Sequence, residues 1–153
     1  MDQIKLLKYA IDYLSKYDSS KKNLVNVLKR KIFRLQISGI EKNRLINNIE
    51  NIILNLEDNK LIDDNRYSFT KISSLSRAGK SKIFIFNYLL KKGINKIHIQ
   101  NNFELFNDSN SNWELNSAKL FANKKRLFES DESYEKKLAK MARAGFSYDI
   151  CKK

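Results

Sequence analysis

Apolar residues in this chain recur at steps of three and four, the spacing that places side chains on one face of an α-helix. Proline is absent and glycine occurs 4 times in 153 residues, so little interrupts these runs. We therefore predict an all-α protein. The predicted inward faces, in chain order, are Ile4, Leu7, Ile11 and Leu14; Leu24, Val25, Leu28 and Ile32; Leu45, Ile49, Ile52 and Leu56; Tyr67, Ile72 and Leu75; Ile85, Phe86, Leu89 and Leu90; Ile99, Phe103 and Phe106; Trp113, Ala118, Phe121 and Ala122; Leu138, Met141 and Ala142; and a short last helix that begins near Phe146.

Capping residues mark several of the predicted helix boundaries. Ser19 or Ser20 can cap the second helix, because a serine hydroxyl accepts from an unpaired backbone N–H in the first turn. Ser38 and Glu41 have the spacing of a capping box and open the third helix, which we predict to be continuous through its four apolar positions. The polar residues 107–111 predict a loop.

One segment has two interpretations. Ile97 and Ile99 alternate with polar residues as in a strand, whereas Ile99, Phe103 and Phe106 recur as in a helix. Because the neighbouring segments are helical, we predict a helix here.

The best delimited stretch is residues 61–94. Asp63 and Asp64 precede a helical pattern, Gly79 interrupts it, and Gly93 ends it after two lysines. The pattern predicts two helices joined by a hinge at residues 77–80. Adjacent helical residues point about 100° apart, so the two aspartates are better suited to capping the helix and favouring its dipole than to binding a metal or forming an acid–base pair.

Three segments resemble one another. Each has a serine in a capping position, Ser20, Ser81 or Ser133, with an apolar residue eight positions later and basic residues after it. The repeat predicts three tandem three-helix modules, 1–60, 61–108 and 109–153, which stack into one continuous, elongated and curved array whose last helix is short. Shared helical amphipathicity alone is the alternative explanation.

The charge of the chain limits the class of partner. Its 30 Lys and Arg against 17 Asp and Glu leave a formal net charge of +13, which favours polyanionic partners. Lys, Asn and Ile are abundant throughout, so part of the lysine excess can follow from codon bias. The uncharged run from Ile83 to Leu90 is too short to cross a bilayer, and the start of the chain lacks a signal-peptide pattern. We expect a soluble, cytoplasmic monomer with no membrane partner.

Residue types that carry chemistry are scarce. The chain has one cysteine, Cys151, and one histidine, His98, which together make neither a disulfide framework nor a zinc site. A glycine-rich phosphate loop is also lacking. We therefore expect no enzymatic activity, no catalytic residue, no metal and no cofactor.

The basic residues are the candidate partner or DNA contacts. Most lysines in such runs simply solvate a helix face, but their recurrence beside the repeated serines favours a common basic surface. Few aromatic residues are interleaved with them, which argues against a stacking platform for single strands. The candidates are Arg66, Arg77, Lys80, Lys82, Lys91, Lys92, Lys124, Lys125, Arg126, Lys136, Lys137 and Arg143.

Four short motifs occur in a fixed order: LIDDNRY at 61–67, RAGK at 77–80, YLLKKGI at 88–94 and MARAGFSYD at 141–149. In this order and spacing the chain resembles the RecX family of regulatory proteins. The resemblance implies an all-α protein of three-helix repeats that binds the RecA recombinase filament on single-stranded DNA and restrains its ATPase, recombinase and co-protease activities.

The chain departs from the family pattern in two places. Ile32 stands where the family has a glycine after the second helix, and the terminal helix is short. The alternative function, from composition alone, is a general basic helical nucleic-acid-binding protein that acts independently of RecA. Whether the basic surface contacts RecA or single-stranded DNA stays open at this level.

Overall fold

The computed structural model describes residues 2–152, which fold into ten α-helices and contain no strand. The helices are α1 (Gln3–Lys16), α2 (Lys21–Phe33), α3 (Gly39–Asn47), α4 (Ile49–Asp58), α5 (Asp64–Arg77), α6 (Lys82–Lys91), α7 (Lys96–Ser109), α8 (Trp113–Lys124), α9 (Tyr134–Arg143) and α10 (Tyr148–Lys152). The predicted all-α class is confirmed.

Two compact units divide the chain. Unit 1 comprises the described residues through Tyr67 together with Lys92–Ile94, and unit 2 comprises Ser68–Lys91 and the described residues from Asn95 onward. The boundary falls within α5. The predicted division into modules 1–60, 61–108 and 109–153 stays a prediction.

The core of unit 1 is built from α1 to α4, and α1 presents its predicted face only in part. Leu7 and Leu14 pack against the core as predicted. Ile4 is 67% exposed and Ile11 is 40% exposed, whereas Leu6 and Ala10 are fully buried. Tyr13 packs partly against the same core. Tyr13 and Ala10 therefore widen the apolar stripe of α1 toward Leu6.

The third predicted helix is two helices. Leu45, Ile49, Ile52 and Leu56 are all buried as predicted, but the helix is interrupted at Asn48, where φ is −90° and ψ is −7°. Asparagine is a weak helix former because its side chain competes for local polar groups. The prediction of one continuous helix was wrong at this residue, and the structure has one helix more than predicted.

Unit 2 resolves the ambiguous segment as helix α7. Ile99, Phe103 and Phe106 are buried, and Phe103 stacks on Trp113 with ring centroids 5.7 Å apart. Because α7 continues to Ser109, the predicted loop at 107–111 is shorter than expected. Ala142, predicted to point inward, is exposed.

All three repeated serines cap their helices. The Ser20, Ser81 and Ser133 hydroxyls each accept from the backbone N–H three residues later, at 3.2, 3.1 and 3.3 Å. The apolar residues eight positions further, Leu28, Leu89 and Met141, are all buried. The local part of the repeat therefore has the same structural role at each position.

Two of these serines also make the same contact with a distant segment. In unit 1, Ser20 Oγ donates to the Lys92 carbonyl at 2.6 Å, and in unit 2, Ser81 Oγ donates to the Ala144 carbonyl at 2.9 Å. Each carbonyl is followed by a glycine with positive φ, Gly93 at 84° and Gly145 at 96°. Glycine suits both sites, because it tolerates this φ and because a Cβ would collide with the α2 or α6 N-terminus.

A carboxylate completes each of these junctions. The Lys21 N–H donates to Asp64 Oδ1 at 2.8 Å, and the Lys82 N–H donates to Glu114 Oε2 at 3.0 Å. Asp63 caps its own helix, as predicted, by accepting from the Arg66 N–H at 3.2 Å. Asp64 therefore has a structural role, but part of that role lies at the N-terminus of α2.

Candidate functional site

Two of the predicted basic residues lie in unit 1. Arg66 is exposed, and its Nη1 donates to the Lys60 carbonyl at 3.2 Å, which holds the guanidinium near the end of α4. Lys92 is half-buried, and its carbonyl accepts from Ser20. The other candidates belong to unit 2.

Within unit 2, the turn after α5 lies against the end of α8. Lys124 Nζ donates to the Ala78 carbonyl at 2.9 Å, and Ser117 Oγ donates to the Lys80 carbonyl at 2.5 Å. Gly79 has a positive φ of 83°, and a Cβ there would lie 3.2 Å from the Phe121 backbone nitrogen. A glycine at the predicted hinge therefore allows two basic segments, Arg77–Lys80 and the C-terminus of α8, to approach each other.

A basic cleft lies beside this turn. It is lined by Phe121, Lys125, Lys140, Arg143 and Ala144 and has a volume of about 480 Å³. Lys125 Nζ lies 6.0 Å from the centroid of the Phe121 ring. We call this site the Phe121 cleft. It brings together Lys125 and Arg143, two of the residues that the sequence singled out.

The third cation of the Phe121 cleft, Lys140, was missed in the sequence. Its Nζ donates to Glu132 Oε1 at 2.6 Å, and this hydrogen bond lowers the pKa of the Glu132 carboxyl below its ordinary value. Among the described residues, Glu132 Oε2 has no hydrogen-bond partner. The signal that could have identified Lys140 is its helical spacing, four residues after Lys136 and three before Arg143, which places the three cations along one side of α9.

The remaining candidates have varied surroundings. Lys80 Nζ lies 4.7 Å from the Phe84 ring centroid, and Lys82 Nζ lies 5.4 Å from that of Phe103. The sequence argument that aromatic residues are not interleaved with the basic runs therefore needs correction, because folding and helical spacing bring rings to the lysines. Arg77, Lys91, Arg126 and Lys136 are exposed, and Lys137 lines a separate apolar cavity of about 320 Å³.

The best-defined charged cluster in unit 1 is structural. Lys21 Nζ lies 2.8 Å from Glu57 Oε2, and that hydrogen bond raises the pKa of Lys21 above its ordinary value. Burial is the main reason that the pKa of Asp64 is also raised. Both residues act at the N-terminus of α2, so this cluster closes a helix end and leaves the exposed cations elsewhere as the partner-binding candidates.

Neither a metal-binding cluster nor a membrane-spanning helix is found among the described residues. Between residues 2 and 152, no group of three or more His, Cys, Asp and Glu side chains is arranged to hold a metal ion. None of the helices in that range combines the length and apolarity needed to span a bilayer.

Comparison with known proteins identifies the family. No protein-family model matches the chain. The regulatory protein RecX of Myxococcus xanthus (strain DK1622) is 31% identical over 152 aligned positions, which cover 94% of this chain and 80% of that protein.

Solved structures have the same fold. The crystal structure of RecX from Lactobacillus salivarius has a TM-score of 0.72 at 26% identity, covering 98% of this chain and 92% of that one. A second crystal structure, of a regulatory protein RecX, has a TM-score of 0.71 at 22% identity, covering 98% and 70%, and supports the fold alone. Together with the identity and coverage of the relative from Myxococcus xanthus, these likenesses show that the chain belongs to the RecX family of regulatory proteins.

Proposed function

We propose that this protein is a non-enzymatic regulator that binds the RecA filament on single-stranded DNA and restrains its ATPase, recombinase and co-protease activities. The observation that carries the proposal is the group of cations in unit 2, at the Arg77–Lys80 turn and the Phe121 cleft, in a chain of the RecX family. A filament assembled on DNA is a polyanionic target, and exposed lysine and arginine side chains both speed encounter with it and bind its phosphates.

Regulation of this kind needs contact area and charge but no chemistry in the regulator itself. The hydrolysis of ATP belongs to RecA, so this chain acts by occupying the filament and hindering its growth or its conformational cycle. Such a role in homologous recombination and the SOS response places the protein in the cytoplasm. We also propose that it works as a monomer, because a filament presents repeated sites along its length.

The three-module architecture is part of the same proposal. The matching Ser20 and Ser81 junctions, each with a distant carbonyl, a glycine and a carboxylate, support tandem three-helix modules at 1–60, 61–108 and 109–153. An elongated, curved array of such modules would offer a long basic surface to a filament.

The test is the DNA-dependent ATPase of RecA with this protein titrated in at substoichiometric amounts. We expect inhibition by the wild-type protein and a loss of inhibition when Arg77, Lys125 and Arg143 are changed to Glu. A matched triple variant at the exposed Lys8, Lys29 and Lys96 should inhibit nearly as well as wild type. Failure of the folded wild-type protein to inhibit would refute the proposed function.

A second candidate is nucleic-acid binding independent of RecA. It is favoured by one observation, the aromatic ring and cations that share the Phe121 cleft. It predicts tight, salt-dependent binding to DNA without RecA, so weak binding that is abolished at physiological salt would count against it as the main role.

A further inference from the structure

We propose that the Phe121 cleft binds one nucleotide of single-stranded DNA, with its phosphate held by Lys125 and Arg143 and its sugar or base against Phe121. This inference deepens the proposed function and rests on it, because it assigns the DNA contact of a regulator that acts on a DNA-bound filament. The cleft lies wholly within unit 2, between the C-terminal ends of α8 and α9.

The size of the cleft favours a nucleotide over a single carboxylate. Its volume of about 480 Å³ falls in the range of about 300–1,000 Å³ that is usual for small-molecule sites. A nucleotide is larger than an aspartate or glutamate side chain from a partner protein and would therefore use more of this open space.

The two proposed phosphate ligands are not committed elsewhere. Among the described residues, Lys125 and Arg143 make no ion pair with a carboxylate. By contrast, the neighbouring Lys124 is held by the Ala78 carbonyl. An arginine suits phosphate because its planar guanidinium can donate two parallel hydrogen bonds, and a lysine adds an adaptable point charge.

The apolar wall of the cleft is fixed in place. Phe121 packs against Phe146 with ring centroids 5.7 Å apart, so the ring is held by the core of unit 2. The Ala144 carbonyl accepts from the buried Ser81, which fixes the end of α9 that carries Arg143. A half-buried aromatic ring beside cations is the combination that single-strand binding sites use, with the base or sugar on the ring and the phosphate on the charges.

Glu132 limits the charge of the cleft. Its carboxylate holds Lys140 at 2.6 Å, so a phosphate must compete with Glu132 for this third cation. The exposed Glu129 lies three residues earlier and does not line the cleft, so Glu129→Gln is a matched control for Glu132→Gln.

The experiment measures binding of a fluorescein-labelled oligo-dT by anisotropy, without RecA, over a range of salt concentrations. For single strands, each phosphate contact contributes about 0.7 to the slope of log affinity against log salt. We expect K125Q/R143Q to reduce the magnitude of that slope by about 1.4. Between 50 and 200 mM salt, the fold-loss of affinity should therefore be about seven times smaller for this variant than for wild type. The control K96Q/K119Q removes the same charge outside the cleft and should change the slope far less.

The Glu132→Gln variant tests Lys140, the third cation of the cleft, which Glu132 holds in wild type. This variant should increase the magnitude of the salt slope by about 0.7, because Lys140 becomes free to bind a phosphate. The control Glu129→Gln should not change the slope. Equal effects of the cleft and control variants would overturn the proposal. An equal loss of binding to a labelled poly-glutamate peptide of the same charge would also overturn it, because the cleft would then bind any polyanion.

The same proteins separate this inference from the proposed function. RecA ATPase inhibition with unchanged oligo-dT binding by K125Q/R143Q refutes the nucleotide site and leaves the regulator intact. Cleft-dependent oligo-dT binding without RecA inhibition by the wild-type protein supports the site and refutes the regulator. Circular dichroism confirms that each variant is folded.

Discussion

Changing Ser81 to Ala should destabilise unit 2 more than an ordinary helix cap would explain. The Ser81 hydroxyl is fully buried, accepts from the Phe84 N–H at 3.1 Å and donates to the Ala144 carbonyl at 2.9 Å. Loss of an N-cap serine costs about 1 kcal/mol. Leaving the partly buried Ala144 carbonyl without its donor costs up to about 1–3 kcal/mol more. We therefore expect S81A to lower the free energy of unfolding by roughly 2–4 kcal/mol.

Ser133 provides the matched control. It caps α9 in the same way, with the Lys136 N–H at 3.3 Å, but it is exposed, and among the described residues its hydroxyl donates to no distant carbonyl. The S133A variant should therefore cost only the cap, about 1 kcal/mol. The difference between the two variants isolates the contribution of the bond to Ala144.

Urea unfolding measures both changes. Far-UV circular dichroism follows the whole chain, and fluorescence of the single tryptophan, Trp113, follows unit 2. Coincident transitions by the two probes would justify a two-state treatment. If S133A costs as much as S81A, the distant hydrogen bond adds nothing, and our account of the repeated junction is wrong.

Three further predictions concern other parts of the fold. Gly145→Ala should destabilise the protein by more than about 1 kcal/mol, because φ is 96° and a Cβ would collide with the Ser81 cap of α6. Gly39→Ala should instead stabilise it by a few tenths to about 1 kcal/mol, because a Cβ there meets open space. Thermal unfolding distinguishes the two signs. Leu6→Ala should cost about 2–5 kcal/mol and Ile11→Ala less than about 1, and equal costs in urea titrations would contradict the corrected inward face of α1. The hydrogen bond from Lys140 lowers the pKa of Glu132, so the stabilising contribution of this carboxylate is present above the ordinary pKa of 4.5 and disappears as the pH falls through the lowered pKa. The urea midpoints of wild type and E132Q should therefore converge in acid. A constant difference between the two midpoints from pH 6 to pH 2 would refute the effect.

Local contacts and distant contacts decide different features of this fold. The cap at Ser20 and the positive φ at Gly93 are local features, so they could be predicted from the chain alone. The contact between these two segments could not, because it joins residues 72 positions apart. The inward face of α1 depends on what packs against it. A period-3.6 pattern with apolar residues on more than one side cannot decide that face, because both Ile11 and Leu6 satisfy it.

The candidate site shows the same division. Lys125 and Arg143 are recognisable in the sequence as basic residues near helix ends, but they share a cleft only because the fold of unit 2 brings the ends of α8 and α9 together. The ion pair of Lys140 with Glu132 spans eight residues across the start of α9, so it is set by the geometry of that turn. Within the described part of the chain, this ion pair occupies Lys140 and leaves Lys125 and Arg143 as the free cations of the cleft.

The sequence by itself determined the helical class and the serine caps, because these follow from short-range hydrogen bonding and local periodicity. Its ordered motifs also carried the resemblance to a regulatory family. Only the tertiary structure decided that Asp64 and Glu114 close the N-termini of α2 and α6 and that three cations surround Phe121. The physical reason is that a side chain's partner and its desolvation depend on residues distant in the chain, which are brought near only when the helices pack.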